Sequence, residues 1–231
     1  MMKKLSGILS VLERKDRMKK KLNIRVMIFT ALSGAISMIL MAISFPLPFA
    51  PAFLKFDIAE LPALFAGFFL GPAQGCMVIL IKICLKLLIQ GTDTVFVGEM
   101  MNLLGGFCFV LPVSFIYRWK HTKNGAVIGM AISTLAVSIA FVFINAYIAF
   151  PLYSRLYGIP LESIIEMGHS VNANINSITT LMIFSVFPFN LIKHSVISVL
   201  TYFVYKRAGK ALGSILVPVN AGRNMQEMKK G

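Results

Sequence analysis

Pro188-Phe189-Asn190-Leu191-Ile192-Lys193 lies in an apolar stretch with no other charged residue between Gly168 and Lys206, apart from the histidines His169 and His194. A lysine near the middle of a membrane helix costs roughly 3 kcal/mol on insertion scales. A chain that keeps one has a partner, a cavity or a ligand for it. Asn190 and Lys193 are three residues apart and share one helical face, so both heads can point into one space. Snorkelling is the other reading of Lys193, but it needs a nearby helix end. Lys206 is about 13 residues away, roughly 20 Å by helical rise.

The surroundings of this hexapeptide are those of a polytopic membrane protein. Of the 231 residues, 57% are hydrophobic and 14% charged, where a soluble domain carries about 25% charged residues. The mean hydropathy is +0.79. Apolar runs of membrane-crossing length recur. Six spans are predicted: about Val26–Ser44, Ile58–Leu70, Gln74–Ile89, Gly98–Tyr117, Gly125–Phe150 and Ile178–Tyr205. The expected fold is thus an all-α membrane protein, a six-transmembrane-helix bundle, with residues 25–207 as its membrane domain. The second and third spans are short and nearly loopless, and could form a tilted hairpin that does not fully cross. Pro188 should kink the sixth span or free a carbonyl one turn back. No cleavable signal peptide is expected, because the apolar run Leu5–Leu12 is too short.

The net charge of +14 could point to nucleic acid, but its distribution points elsewhere. Nine Lys and Arg precede the first span, from Lys3 to Arg25; Arg118, Lys120 and Lys123 form one short loop; six follow the last span, from Lys206 to Lys230. Only Lys55 and Arg155 fall in the opposite loops, and Lys82, Lys86 and Lys193 lie within spans. This is the positive-inside pattern, with both termini cytoplasmic. Residues 1–24 form a basic extension in which Leu5, Ile8, Leu9 and Leu12 share a face, suited either to membrane-surface anchoring or to a disordered tail. Residues 208–231 form a basic cytoplasmic tail.

The outer loops are long, Phe45–Asp57 and Pro151–Ser177. Pro46, Pro48 and Pro51 stiffen the first; Phe45, Phe49, Phe53 and Phe56 give it aromatic surface. It reads equally as a lid on a flat apolar ligand and as a loop resting in headgroups.

Several chemistries are missing. There is no phosphate-binding GxxxxGK[ST] loop, no HExxH, no GxSxG and no His/Cys cluster. His121, His169 and His194 are scattered, and His194 faces about 100° away from Lys193 on a helix. Cys76, Cys84 and Cys108 read as small hydrophobes. No acid is read deep within a span: Glu99 sits at the outer end of the fourth, which disfavours a stand-alone ion-coupled carrier. No enzymatic activity, metal or cofactor is expected.

Other polar residues at depth carry open readings. Asn145 is either a ligand contact or interhelical glue. Glu99 and Asn102 repeat the i, i+3 pattern, although Glu99 also suits a helix N-terminus. Lys82 and Lys86 share a face and could contact a ligand, a partner or acids elsewhere in the bundle. Ala31, Gly34 and Ala35 make a small-residue face for packing inside the bundle or for docking a separate membrane subunit.

Taken together, Phe56-Asp57-Ile58-Ala59-Glu60-Leu61-Pro62-Ala63-Leu64, Gly71-Pro72, Gly98-Glu99-Met100-Met101-Asn102, Asn145-Ala146-Tyr147 with Pro151-Leu152-Tyr153, and Pro188–Lys193 resemble the substrate-binding (S) components of energy-coupling-factor (ECF) transporters, and among these the riboflavin-specific members. The resemblance runs from about Arg25 to Arg207. It implies a riboflavin-binding subunit of an ECF-type ABC transporter in the cell membrane, working with a transmembrane coupling subunit and two cytoplasmic ATPase subunits. It carries flavin contacts over to Asn145, Asn190 and Lys193, and coupling-subunit docking to Ala31 and Ala35. The fifth-helix motif reads Asn-Ala-Tyr where Asn-Tyr is expected, which displaces Tyr147. The alternatives are an S component for another vitamin or nucleobase-like compound, and a non-transporting membrane scaffold.

Overall fold

The structure is a computed structural model that describes residues 24–120 and 122–216. The expectations for residues 1–23, for His121 and for the end of the tail lie outside these residues.

Among the described residues, five helices are long and apolar enough to cross a membrane: Ile24–Ala42 (α1), Pro72–Gln90 (α3), Val97–Lys120 (α4), and the composite spans Asn124–Leu156 and Ile178–Arg207. Glu60–Leu70 (α2) is apolar but has only 11 residues, about 16 Å by helical rise. It covers the segment predicted as a short second span. Gly71, with φ +105°, turns the chain directly from α2 into α3, which Pro72 opens. Proline suits a first helical turn because its missing N–H would be unpaired there anyway.

The fifth span is α5 (Lys123–Ile144), a π-turn over Asn145–Ala149, and α6 (Phe150–Tyr157). The segment that follows is largely helical too, through α7 (Leu161–His169). The sixth span is α8 (Ile178–Leu181), a π-turn over Met182–Val186, and α9 (Phe187–Leu216). Both π-turns precede a Phe-Pro pair, Phe150-Pro151 and Phe187-Pro188. Proline has no N–H and its ring crowds the carbonyl four residues back. One widened turn absorbs that crowding without breaking the helix. The expected disturbance at Pro188 therefore takes the form of a π-turn, and the two π-turns pack against each other.

The expectation of a purely helical chain is corrected in one detail. Phe45–Pro46 (β1) and Lys55–Phe56 (β2) pair as a two-residue antiparallel ladder, closing the base of the first outer loop.

Helix packing is close where side chains are smallest. A Cβ on Gly75 would lie 3.0 Å from the Ala63 carbonyl and 3.2 Å from Gly67 Cα, so α2 and α3 touch nearly backbone to backbone. Ala63, Leu64, Val78, Ile79, Phe109, Val110, Val113, Val137 and Ile197 form the core among α2, α3, α4, α5 and α9. Ile128, Ile132, Leu135, Ile139 and Phe143 form an exposed row down the outside of α5, as expected of a face turned to lipid.

The small-residue face of α1 divides in two. Gly34 packs inward, where a Cβ would lie 2.4 Å from Ile81 Cγ2 of α3, and the Thr30 hydroxyl meets Gln74 Oε1 at 3.1 Å. Ala31 is exposed and Ala35 half-exposed, beside exposed Met27, Leu32 and Ile39.

Candidate functional site: a charged cavity at one end of the bundle

A cavity of about 530 Å³ opens at the end of the bundle opposite the Tyr117–Tyr205 hydroxyl contact. Its wall takes residues from the end of α1, the β hairpin, the start of α2, the end of α3, the start of α4, both composite spans and the first turns of α9. The five residues predicted for the ligand, Glu99, Asn102, Asn145, Asn190 and Lys193, all line it.

The charges are neutralised in place. The Lys193 ammonium donates to Asp57 Oδ2 at 2.9 Å and stands 3.8 Å from Glu60 Oε2. Asp57 Oδ1 accepts the Ala59 N–H at 2.9 Å, a local turn that leads into α2. Glu60 Oε1 pairs with Lys82 at 3.1 Å, and Lys82 also donates to Asn102 Oδ1 at 2.7 Å. Two lysines and two carboxylates thus alternate, with Asp57, Glu60 and Lys193 at the cavity wall and Lys82 behind it, all nearly or fully buried. Buried charges persist only when paired in this way.

Sequence reasoning missed Asp57 and Glu60 as site residues. In the sequence they stand where a loop meets the start of the second predicted span, a place where acids are ordinary. Glu60 in fact opens α2 and is 2% exposed. His194 is a second correction: its angular offset from Lys193 does not keep it out, and it lines the same cavity. Its Nδ1 lies 2.8 Å from the Asn190 carbonyl, and its ring stands edge-on to Phe109.

The two amides are held by the π-turn architecture. Asn190 Nδ2 donates to the Val186 carbonyl at 2.8 Å, and Asn145 Nδ2 donates to the Phe141 carbonyl at 2.8 Å. Each keeps one N–H and its carbonyl oxygen for other partners. Lys193 spends one of its three N–H groups on Asp57. This side of the cavity therefore holds both donors and acceptors.

Another part of the wall is built on Glu99. Its carboxylate takes the Lys86 ammonium, the Thr92 hydroxyl at 3.0 Å and the Thr94 hydroxyl at 2.8 Å. Lys86 also donates to the Gly91 carbonyl at 2.9 Å. These bonds hold a tight loop in which Val95 and Phe96 adopt φ of 41° and 66°, a region that a β-branched residue rarely enters. Glu99 sits in the first turn of α4, as its helix N-terminus reading has it, and also lines the cavity.

Aromatic groups complete the lining. Phe53, from the first outer loop, stands edge-on to Phe150 with ring centroids 5.7 Å apart, and Phe141, Tyr153 and Phe189 also line the cavity. Phe45 and Phe49 remain exposed, so the loop covers the site with some of its aromatic rings and presents others outward. Tyr147, displaced in the sequence motif, is 76% exposed and does not line the cavity.

Residues 25–205 match the family model described as "ECF transporter, substrate-specific component". The chain is 30% identical over 201 residues to the riboflavin transporter RibU of Staphylococcus aureus (strain TCH60), covering 85% of this chain and 98% of that protein. It is 27% identical over 185 residues to the riboflavin transporter FmnP of Bacillus subtilis (strain 168), covering 80% and 92%. Its fold is similar to a solved structure described as the S component of a bacterial ECF transporter, with a TM-score of 0.65 and 29% identity, over 82% of this chain and 98% of that one. The chain belongs to the substrate-specific component family of ECF transporters.

Proposed function

We propose that this protein binds riboflavin at the outer face of the cell membrane and passes it inward as the S component of an ECF transporter. The observation that carries the reading is the cavity, in which Asn145, Asn190 and Lys193 meet under a set of aromatic rings. The flavin ring is flat and largely apolar, with one edge of two carbonyls and an N–H. Amides and a lysine satisfy that edge, while Phe53, Phe150 and Phe189 cover ring faces. The two relatives are named for riboflavin transport.

The proposal includes the topology: six spans with both termini cytoplasmic, the membrane domain over residues 25–207, an N-terminal extension over 1–24 and a tail over 208–231. Under that topology the cavity opens outward. The exposed side of α1, through Ala31 and Ala35, docks a transmembrane coupling subunit, and two cytoplasmic ATPases supply the energy. The loaded bundle reorients against the coupling subunit, and ATP hydrolysis drives release.

Reconstitution tests this scheme. Vesicles holding this chain alone should bind riboflavin without accumulating it, and adding the coupling subunit and ATPases should make uptake ATP-dependent. Concentrative uptake by this chain alone, without ATP, contradicts the scheme.

A further inference from the structure

Lys82 is fully buried, on α3, and is not part of the cavity lining. Its ammonium nevertheless reaches Glu60 Oε1 of α2 at 3.1 Å and Asn102 Oδ1 of α4 at 2.7 Å. The second contact fixes something that sequence cannot. An ammonium only donates, so the atom that Asn102 turns toward Lys82 must be its oxygen. The amide nitrogen of Asn102 then faces the other way, and Asn102 lines the cavity. An asparagine left to itself flips at little cost; this one is held.

The neighbourhood says what those amide donors meet. Lys86, Gln90, Thr94 and Glu99 share this side of the cavity with Asn102, while Phe53, Phe150 and Phe189 belong to the other elements that enclose it. A wall this polar suits a hydroxylated chain, not a ring face. Lys82 acts from behind the wall, and Glu60 keeps it neutral.

We propose that Lys82 is a positioning residue: by holding the Asn102 carbonyl it presents the Asn102 amide hydrogens to oxygen acceptors on the ligand's side chain, and so selects ligands that carry a hydroxylated chain. This rests on the flavin reading given above. Lys82 itself touches no ligand. The charge pair with Glu60 is what lets a lysine sit there, and two apolar residues could fill the same space without orienting Asn102.

The test compares riboflavin with lumiflavin, which has the same ring and a methyl group in place of the ribityl chain. Fluorescence quenching gives both dissociation constants on the purified full chain, and their ratio reports recognition of the chain. The variant Glu60→Leu/Lys82→Met removes the ion pair as a unit, leaving Lys193 with Asp57. The preference for riboflavin should fall by at least about tenfold in this variant. In an Asn102→Leu background the same double change should alter the ratio by less than about twofold, because Lys82 works through Asn102. A role confined to stability would weaken both ligands together and leave the ratio standing.

If the double variant aggregates, Asn102→Asp answers the question. It keeps the bond to Lys82 and presents acceptors only, so the ratio should collapse there as well. A ratio that stays within about twofold of wild type in these variants overturns the inference, as does a wild-type ratio near one. Wild-type protein that binds neither flavin overturns the proposed function itself, and this inference with it.

Discussion

Lys193 and Asp57 are 136 residues apart in the chain and 2.9 Å apart in the fold. This contact ties the end of the first outer loop to the helix that carries the central lysine. It changes what a substitution at Lys193 means. Lys193→Met removes the proposed ligand donor and also leaves Asp57 and Glu60 short of a positive charge. Breaking a buried ion pair from one side typically costs about 3–5 kcal/mol. The single variant should therefore lose thermal stability in detergent as well as flavin binding. Adding Asp57→Asn should restore much of the stability and none of the binding. Equal stability of the single and double variants would show that the pair carries no coupling.

Asn190→Ala and Asn145→Ala should each weaken riboflavin binding by at least about tenfold, or about 1.4 kcal/mol. Each change deletes the amide that bonds the Val186 or Phe141 carbonyl beside a π-turn, along with the groups left for the ligand. Titration of both variants checks this, and unchanged affinity in both removes the site assignment.

Ala31 and Gly34 are neighbours on α1 with opposite surroundings. Ala31 is exposed, whereas a Cβ on Gly34 would meet Ile81 Cγ2 at 2.4 Å. Leucine at Ala31 and Ala35 should abolish ATP-driven uptake and spare flavin binding. Leucine at Gly34 should destabilise the isolated subunit, by about 1–3 kcal/mol or more for overpacking. Loss of binding in the Ala31/Ala35 variant would place that face inside the bundle.

The first outer loop separates into two roles. Phe53→Ala should raise the flavin dissociation rate by about tenfold, because the ring packs on Phe150 at the cavity. Phe49→Ala should leave the rate within about twofold, because that ring is exposed. Stopped-flow release of bound riboflavin measures both. Equal effects would favour a loop that merely rests in headgroups.

The parts of the site legible in sequence were polar residues standing out against apolar helices. Lys193, Asn190 and Asn145 are conspicuous for that reason, and Glu99 and Asn102 repeat the same spacing. Asp57 and Glu60 carried no such contrast: they border a loop, where acids are ordinary. Their pairing with Lys193 and Lys82 depends on how distant helices meet, which no local pattern encodes. The span boundaries followed from hydropathy, and so did the short second helix. The π-turns did not, because an inserted turn shifts helical phase by one residue and leaves hydropathy unchanged. The repeated Phe-Pro pairs were the available signal, and only Pro188 was read as a disturbance. The small-residue face of α1 was visible as a composition, but its division between Gly34 and the two alanines required knowing where α3 lies.

The most direct test of the central claim is the absorbance spectrum of the detergent-purified chain, followed by quenching of riboflavin fluorescence on titration. The account predicts either a yellow preparation with flavin bands near one per chain, or stoichiometric quenching at nanomolar concentration. A colourless protein that leaves added riboflavin fluorescent would contradict the ligand assignment and direct the search to another vitamin of the same transporter family.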